Sequence, residues 1–194
     1  MFEIRIHGRG GQGVVTAAEL LSIAAFDEGR YAQAFPSFGS ERTGAPVVSF
    51  CRIGERPIRT REPVATPDAL IIVDPTLLHQ VDVFGGLKPG GFVVINSGRS
   101  LGQLGLKELG ERVEPGRVRT VAATEIAREH LGRPLPNAAL LGSFAAQTGV
   151  ISIEAVARAI RARFGGDVGE ANAAAAEQAF ELTRTSTGSE AAHA

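Results

Sequence analysis

The chain has 194 residues, 44% of them hydrophobic and 21% charged, with a formal net charge of −1. That length suits one domain with a full core, and the near-neutral charge gives no footing for nucleic acid or an anionic membrane. No run is long and apolar enough for a membrane span, the N-terminus shows no signal peptide, and Cys51 is the single cysteine. One thiol leaves no internal disulfide, and no iron–sulfur cluster held by this chain alone, since a cluster takes about four thiolates. A cytoplasmic location is expected.

The apolar alternation of residues 2–7 predicts a strand, and residues 14–28 predict a helix stopped by Gly29. Between them lies Gly8-Arg9-Gly10-Gly11-Gln12-Gly13. A second strand is expected at 31–35, followed by a loop, Pro36-Ser37-Phe38-Gly39-Ser40-Glu41-Arg42-Thr43-Gly44. Residues 46–53 read as a β-segment, 54–57 as a turn, and 58–60 as a strand pairing back in a hairpin. The continuous apolar run 69–73, ending in Asp74-Pro75, predicts a buried parallel strand. A helical stretch over 77–84 and a turn at Lys88-Pro89-Gly90-Gly91 lead to another buried strand at 92–96.

A short strand at 117–122 and a helix at 124–131 come next. Three Ala-rich helices, 138–148, 153–164 and 169–183, complete the pattern, with Ser152 as an N-cap and Gly149 and Gly165 as stops. Strands alternating with helices and then a run of helices predict an α/β fold: a Rossmann-like, mostly parallel sheet with a β-hairpin insertion and a helical C-terminal end. Residues 1–184 form the one expected domain. The small polar residues 185–194 read as a flexible tail, or one ordered by a partner.

Gly8, Gly10 and Gly13 fit G-x-G-x-x-G in the strand-to-helix context that the motif requires. Such a turn directs backbone N–H groups at a helix N-terminus, where they hold a phosphate or another anion. A dinucleotide site also places an acid ~20 positions on, at the end of the second strand. Here Glu28 comes too early and Glu41 lies six residues past the strand, so a phosphate-bearing ligand other than NAD or FAD is preferred.

Gln12 is a candidate ligand contact from within the turn. Arg42 suits a phosphate or carboxylate, or alternatively pairs with Glu41. His7 reads as an acid/base or phosphate contact, or, the preferred reading, as a strand-end histidine. Cys51 is read as a small packed hydrophobe, while Asp74 and Asn96 end central strands and face the cleft, with Asp74 equally suited to cap the helix that follows. The four histidines, His7, His79, His130 and His193, show no metal-ligand spacing, and no catalytic elbow, Walker lysine or triad is present. No catalytic residue and no metal site is expected. The chain reads as a binder of something phosphorylated that relies on other proteins for the reaction.

Two stretches resemble the gamma subunit of 2-oxoacid:ferredoxin oxidoreductases of the pyruvate, ketoisovalerate and phenylglyoxylate type. They are Gly8–Gly13, and Pro36 to Pro46 against the pattern P-S-[FY]-G-x-E-R-x-G-[AG]. The strand ending at Asp74, the Gly90-Gly91 turn before Asn96-Ser97, and Asn137 to Gly142 as N-x-x-x-L-G add to the likeness, which spans residues 2–150.

The resemblance implies a subunit of an enzyme that converts a 2-oxoacid and coenzyme A to acyl-CoA and carbon dioxide, passing two electrons to ferredoxin or a similar acceptor. It puts thiamine diphosphate, Mg and [4Fe-4S] clusters on partner subunits: alpha, beta and a ferredoxin-like delta, with a flavin subunit as a further possibility. The gamma unit then helps to hold coenzyme A. Gly8, Gly10, Gly11, Gln12 and Gly13 would form the phosphate turn. Ser37, Phe38, Gly39, Glu41, Arg42 and Thr43 would line the facing loop, and Asn137 would approach from a helix start. The alternatives are a free-standing nucleotide- or CoA-sensing Rossmann-like domain and a free-standing nicotinamide or flavin oxidoreductase.

Overall fold

The computed structural model describes residues 1–37, 44–114 and 116–191, and the side chains of all these except 110–112 and 186–191. Along β1 (Phe2–Arg9), Ile4 and Ile6 enter one layer of core while the alternate Arg5 and His7 face the other way. Helix α1 (Val14–Asp27) follows the glycine turn and buries Ala17, Ala18, Leu20, Leu21, Ala24 and Ala25. Next in the chain come β2 (Tyr31–Pro36), β3 (Pro46–Gly54), β4 (Ala69–Ile72) and β5 (Phe92–Asn96). A short α2 (Lys107–Arg112) and β6 (Val118–Val121) precede four helices: α3 (Ala123–Leu131), α4 (Asn137–Thr148), α5 (Ile153–Phe164) and α6 (Gly166–Ala191).

The six strands lie in the order β2-β3-β1-β4-β5-β6. β1, β4, β5 and β6 are parallel neighbours, and β3 runs antiparallel to both β1 and β2. The α/β class, the mostly parallel sheet and the helical end are as the sequence predicts. The hairpin differs. Residues 58–60 form no strand, because both edges of β3 are already taken, by β1 and by β2. The antiparallel hairpin is β2–β3, and β2 is left as one edge of the sheet.

Two cores flank the sheet. Ile71 and Val94 turn toward α1, α4, α5 and α6, while Leu70, Ile72, Val93 and Ile95 pack under Leu77, Leu78, Val83 and Leu104 from the connecting segments. Those connecting segments account for a second difference. The helix expected at 77–84 is a single 3-10 stretch, Pro75–His79. Beyond it the carbonyls of Val83 and Gly85 accept hydrogen bonds from the Arg5 guanidinium instead of closing helical turns. The helix expected at 169–183 starts at Gly166 and runs to Ala191. No helix among the described residues is long and apolar enough to cross a membrane.

Helix α4 is the best-buried helix of the site: every residue from Asn137 to Ala145 is buried. Its Gly142 lets α6 cross in direct contact, since a Cβ there would meet the Ala176 carbonyl oxygen at 1.9 Å. The N-terminus of α4 is therefore held firmly beside the turn that follows β1.

Candidate functional site

The sequence at the end of β1 makes a turn that only glycine can make. Gly11 (φ +91°) and Gly13 (φ +75°) both have the left-handed backbone, and Gly13 leads directly into α1. Gly8 answers a different need. A Cβ there would lie 2.5 Å from Val14 Cγ2 and 3.1 Å from Val73 Cβ, so it lets strand, helix and β4 close up. The Gly10 N–H donates to the Ala45 carbonyl (3.0 Å), and the Gly10 carbonyl accepts from the Gly44 N–H (3.3 Å). The turn is thus tied to the end of the segment that follows β2.

Side chains complete the tie. Gln12 Oε1 accepts from the Arg9 N–H at 2.7 Å, and its Nε2 donates to Asp74 Oδ2 at 2.7 Å. Arg9 pairs with the same carboxylate oxygen at 3.1 Å, and donates to the Gly44 carbonyl, Thr76 Oγ1 and Gln80 Oε1. The other oxygen, Oδ1, caps the 3-10 stretch through Thr76 N (2.9 Å) and accepts from Thr76 Oγ1 (2.6 Å). Burial works against the charge on Asp74. Hydrogen bonds from Thr76 and Gln12, with the Arg9 charge, outweigh it and hold the carboxyl below its ordinary pKa. Both ends of the Gln12 amide are thus engaged within this network.

On the helical side of the turn lies a cleft of about 400 Å³. Gly11, Gly13 and Thr16 form one wall and Asn137 its floor; Leu135, Phe164 and Val168 make an apolar wall opposite. The first N–H groups of α1 lack intrahelical partners by geometry and present partial positive charge to this space. Asn137 is 7% exposed, and its Oδ1 is buried with no hydrogen-bond partner among the described residues. A buried carbonyl oxygen left unpaired is costly. Arg133, exposed in the loop between α3 and α4, lines the same cleft.

The remaining candidates have structural partners. His7 is buried, and its Nε2 accepts from Arg5 Nε at 3.0 Å. Burial, then the Arg5 charge, pull its pKa down to about 4 against a weaker opposing pull from Asp82, so the ring is neutral near pH 7. Asn96 donates to the Val73 carbonyl (2.9 Å) and accepts from the Thr124 N–H (3.1 Å), which fastens α3 to the sheet. Cys51 is fully buried, and burial pushes its thiol up to about 12, far from a nucleophilic thiolate. Ser37 is exposed and extends the β2–β3 pairing through its N–H to the Val48 carbonyl (2.8 Å).

The other loop candidates, Phe38, Gly39, Glu41, Arg42 and Thr43, lie outside the described residues. Those described bring Gly11, Gly13 and Asn137 to one cleft. Gly8, Gly10 and Gln12 shape the turn from behind. Sequence reasoning missed Arg133 and Thr16. The available signal was an arginine between Gly132 and Pro134, four residues before Asn137. Among the described residues no group of three or more His, Cys, Asp or Glu could hold a metal ion.

A larger cavity of about 520 Å³ lies away from the turn, beside β6, α3 and α6. Its walls carry both signs of charge, Arg119 with Glu125 and Glu129, and no glycine turn or N-terminus of α1 reaches it. Also against a nicotinamide dinucleotide is the place of β2. With β3 inserted, the end of the second strand stands two strand spacings, roughly 10 Å, from β1 rather than one.

The pyruvate ferredoxin/flavodoxin oxidoreductase family matches residues 3–182. The common gamma subunit of the pyruvate/ketoisovalerate oxidoreductases of Thermococcus kodakarensis is 51% identical over 183 residues, 94% of this chain and 97% of that one. The chain belongs to the pyruvate ferredoxin/flavodoxin oxidoreductase family. Within it, this is a gamma-type subunit of a 2-oxoacid:ferredoxin oxidoreductase, as the resemblance in the glycine turn and facing loop implies.

A crystal structure of the pyruvate oxidoreductase subunit PORC of Thermotoga maritima superposes on this gamma subunit with a TM-score of 0.78. It is 35% identical and covers 93% of this chain and 95% of its own. The 2-oxoglutarate:ferredoxin oxidoreductase of Magnetococcus marinus was solved with 2-oxoglutarate, coenzyme A and succinyl-CoA bound. It shares the fold, with a TM-score of 0.75 at 19% identity over 95% of this chain and 31% of that one.

Proposed function

We propose that this gamma subunit holds the phosphate-bearing end of coenzyme A while partner subunits carry out the 2-oxoacid chemistry. The observation that carries the reading is one cleft lined by the glycine turn at the α1 N-terminus, Asn137 and the Arg133 cation. A pyrophosphate suits the helix N-terminus and glycine amides, where backbone comes close and charge is favourable. Arg133 suits a further phosphate group at the cleft mouth. The Asn137 side-chain amide suits a polar group of the ligand, and the wall of Leu135, Phe164 and Val168 suits its apolar parts.

In this reading the subunit contributes binding and orientation to the overall conversion of a 2-oxoacid and coenzyme A to acyl-CoA, carbon dioxide and two electrons for ferredoxin. Thiamine diphosphate with Mg, and [4Fe-4S] clusters, held by alpha, beta and delta partners, would supply the decarboxylation and electron transfer. The names of the relatives point to pyruvate and ketoisovalerate as the oxoacids to try first.

The test is Gly11→Asp in the enzyme purified with its partners. A side chain on Gly11 meets no neighbour and adds only the strain of the left-handed backbone, which Gly11→Ala controls for, while the carboxylate charge opposes a phosphate at the turn. The KM for coenzyme A is expected to rise with the KM for the oxoacid unchanged. An unchanged KM for coenzyme A overturns the assignment.

A further inference from the structure

The three segments that meet behind the glycine turn come from far apart in the chain: 9–12 after β1, 44–45 before β3 and 74–80 after β4. One carboxylate sits at their junction. Asp74 is 8% exposed and receives four donors within 3.1 Å: Thr76 N, Thr76 Oγ1, Gln12 Nε2 and Arg9 Nε. A helix-capping aspartate needs only the Thr76 contacts on Oδ1. Oδ2 is given over entirely to the glycine turn.

We propose that Asp74 is a positioning residue for coenzyme A binding, which acts through Gln12 and Arg9 to fix the glycine turn. The inference rests on the reading of that turn as the phosphate seat. The path is short. Asp74 Oδ2 orients the Gln12 amide, whose Oε1 then accepts from the Arg9 N–H and sets the backbone entering Gly10 and Gly11. The same oxygen holds the Arg9 guanidinium, which reaches the Gly44 carbonyl and so fixes the turn to the start of β3.

This arrangement also decides which cation serves the ligand. Arg9 is nearest in sequence to the turn, yet Asp74, Gly44, Thr76 and Gln80 take its donors. Among the described residues, the helix N-terminus and Arg133 are then left to supply positive charge to the cleft.

The experiment uses the enzyme with its partner subunits. Asp74→Asn keeps the size of the side chain but sets an amide or an uncharged oxygen against donors that now face a carboxylate. The KM for coenzyme A is expected to rise roughly tenfold or more, the size of one lost charge-assisted hydrogen bond, with the KM for the oxoacid unchanged. Gln12→Met should do the same. The double variant should be little worse than the worse single, since both act along one path.

A drop in melting temperature with no change in KM for coenzyme A would make Asp74 a cap and nothing more, and overturn the proposal. So would fully multiplicative effects of the two substitutions. If Asp74→Asn does not assemble, Gln12→Met carries the same test, because it leaves the Thr76 cap intact. The Gly11→Asp variant separates the two readings. If it raises the KM for coenzyme A and Gln12→Met does not, the positioning role alone fails; if neither does, the phosphate seat fails as well.

Discussion

The Asn137 side chain lies against the Gly13 backbone: a Cβ on Gly13 would stand 2.7 Å from Asn137 Nδ2 and 3.3 Å from its Cγ. The turn after β1 and the N-terminus of α4 therefore meet through the Asn137 side chain alone, and wall and floor of the cleft join at two residues 124 positions apart. Gly13→Ala combines left-handed strain with displacement of Asn137, whereas Gly11→Ala carries strain alone. Each is expected to lower stability by about 1–2 kcal/mol through strain. Only Gly13→Ala should also raise the KM for coenzyme A. Equal KM values for the two variants would separate Asn137 from the ligand.

Arg133 is exposed and sits at the cleft mouth. Arg133→Ala should leave assembly intact and raise the KM for coenzyme A by roughly tenfold, with the difference from wild type shrinking as salt screens the pair. Initial rates at low and high ionic strength check this. A KM that does not move, at either salt concentration, removes Arg133 from the site.

His7 makes the fold sensitive to acid. Its pKa in the fold is drawn down to about 4, below the ordinary 6.5, so the fold favours the neutral ring. Its contribution is complete above about pH 6.5 and is lost as pH falls toward 4, by on the order of 3 kcal/mol over the whole interval. Thermal melts between about pH 7 and pH 5 should show the loss, and His7→Gln, which keeps an acceptor for Arg5, should flatten it. An identical pH dependence in the variant would assign the effect to other groups.

Gly142→Ala should be among the most damaging small changes. A methyl group there collides with the Ala176 carbonyl, a backbone atom that moves only with α6. A loss of about 3 kcal/mol or more is expected, with failure to co-purify with partners. Normal melting would mean that α6 shifts freely on α4.

The parts of this fold written locally were legible. Residues 4–20 announce strand, glycine turn and helix because each depends on neighbours in sequence, and Ser152 caps α5 as its identity implies. Sheet order was not legible in the same way. That β3 lies between β1 and β2 is decided by its pairing with β1, across 37 positions at Arg9↔Pro46 and 51 at Phe2↔Ile53, and nothing in Ile58-Arg59-Thr60 records that β3 has no free edge.

Gln12 illustrates the same limit within the site. Its place in a glycine turn suggests a ligand contact, but its partner is Asp74, 62 positions away. Arg133 was hidden for the opposite reason, since a loop arginine belongs to no periodic pattern. Asn137 was found through its motif, and the geometry supplies the reason for attention: a buried amide oxygen with no partner among the described residues.

Strand β2 has a practical consequence for anyone producing this subunit by itself. It forms an edge of the sheet, and from Tyr31 to Pro36 it contains no charged residue. Sheet edges are ordinarily guarded against sticking by a lysine, a bulge or a covering element. Phe26 and Tyr31, 74% and 48% exposed, stand close by. Overexpressed without the other chains, the protein carries its own template for edge-to-edge aggregation, and a lysine placed on this strand, or co-expression with the partners, is the remedy to try before changing tags or temperature.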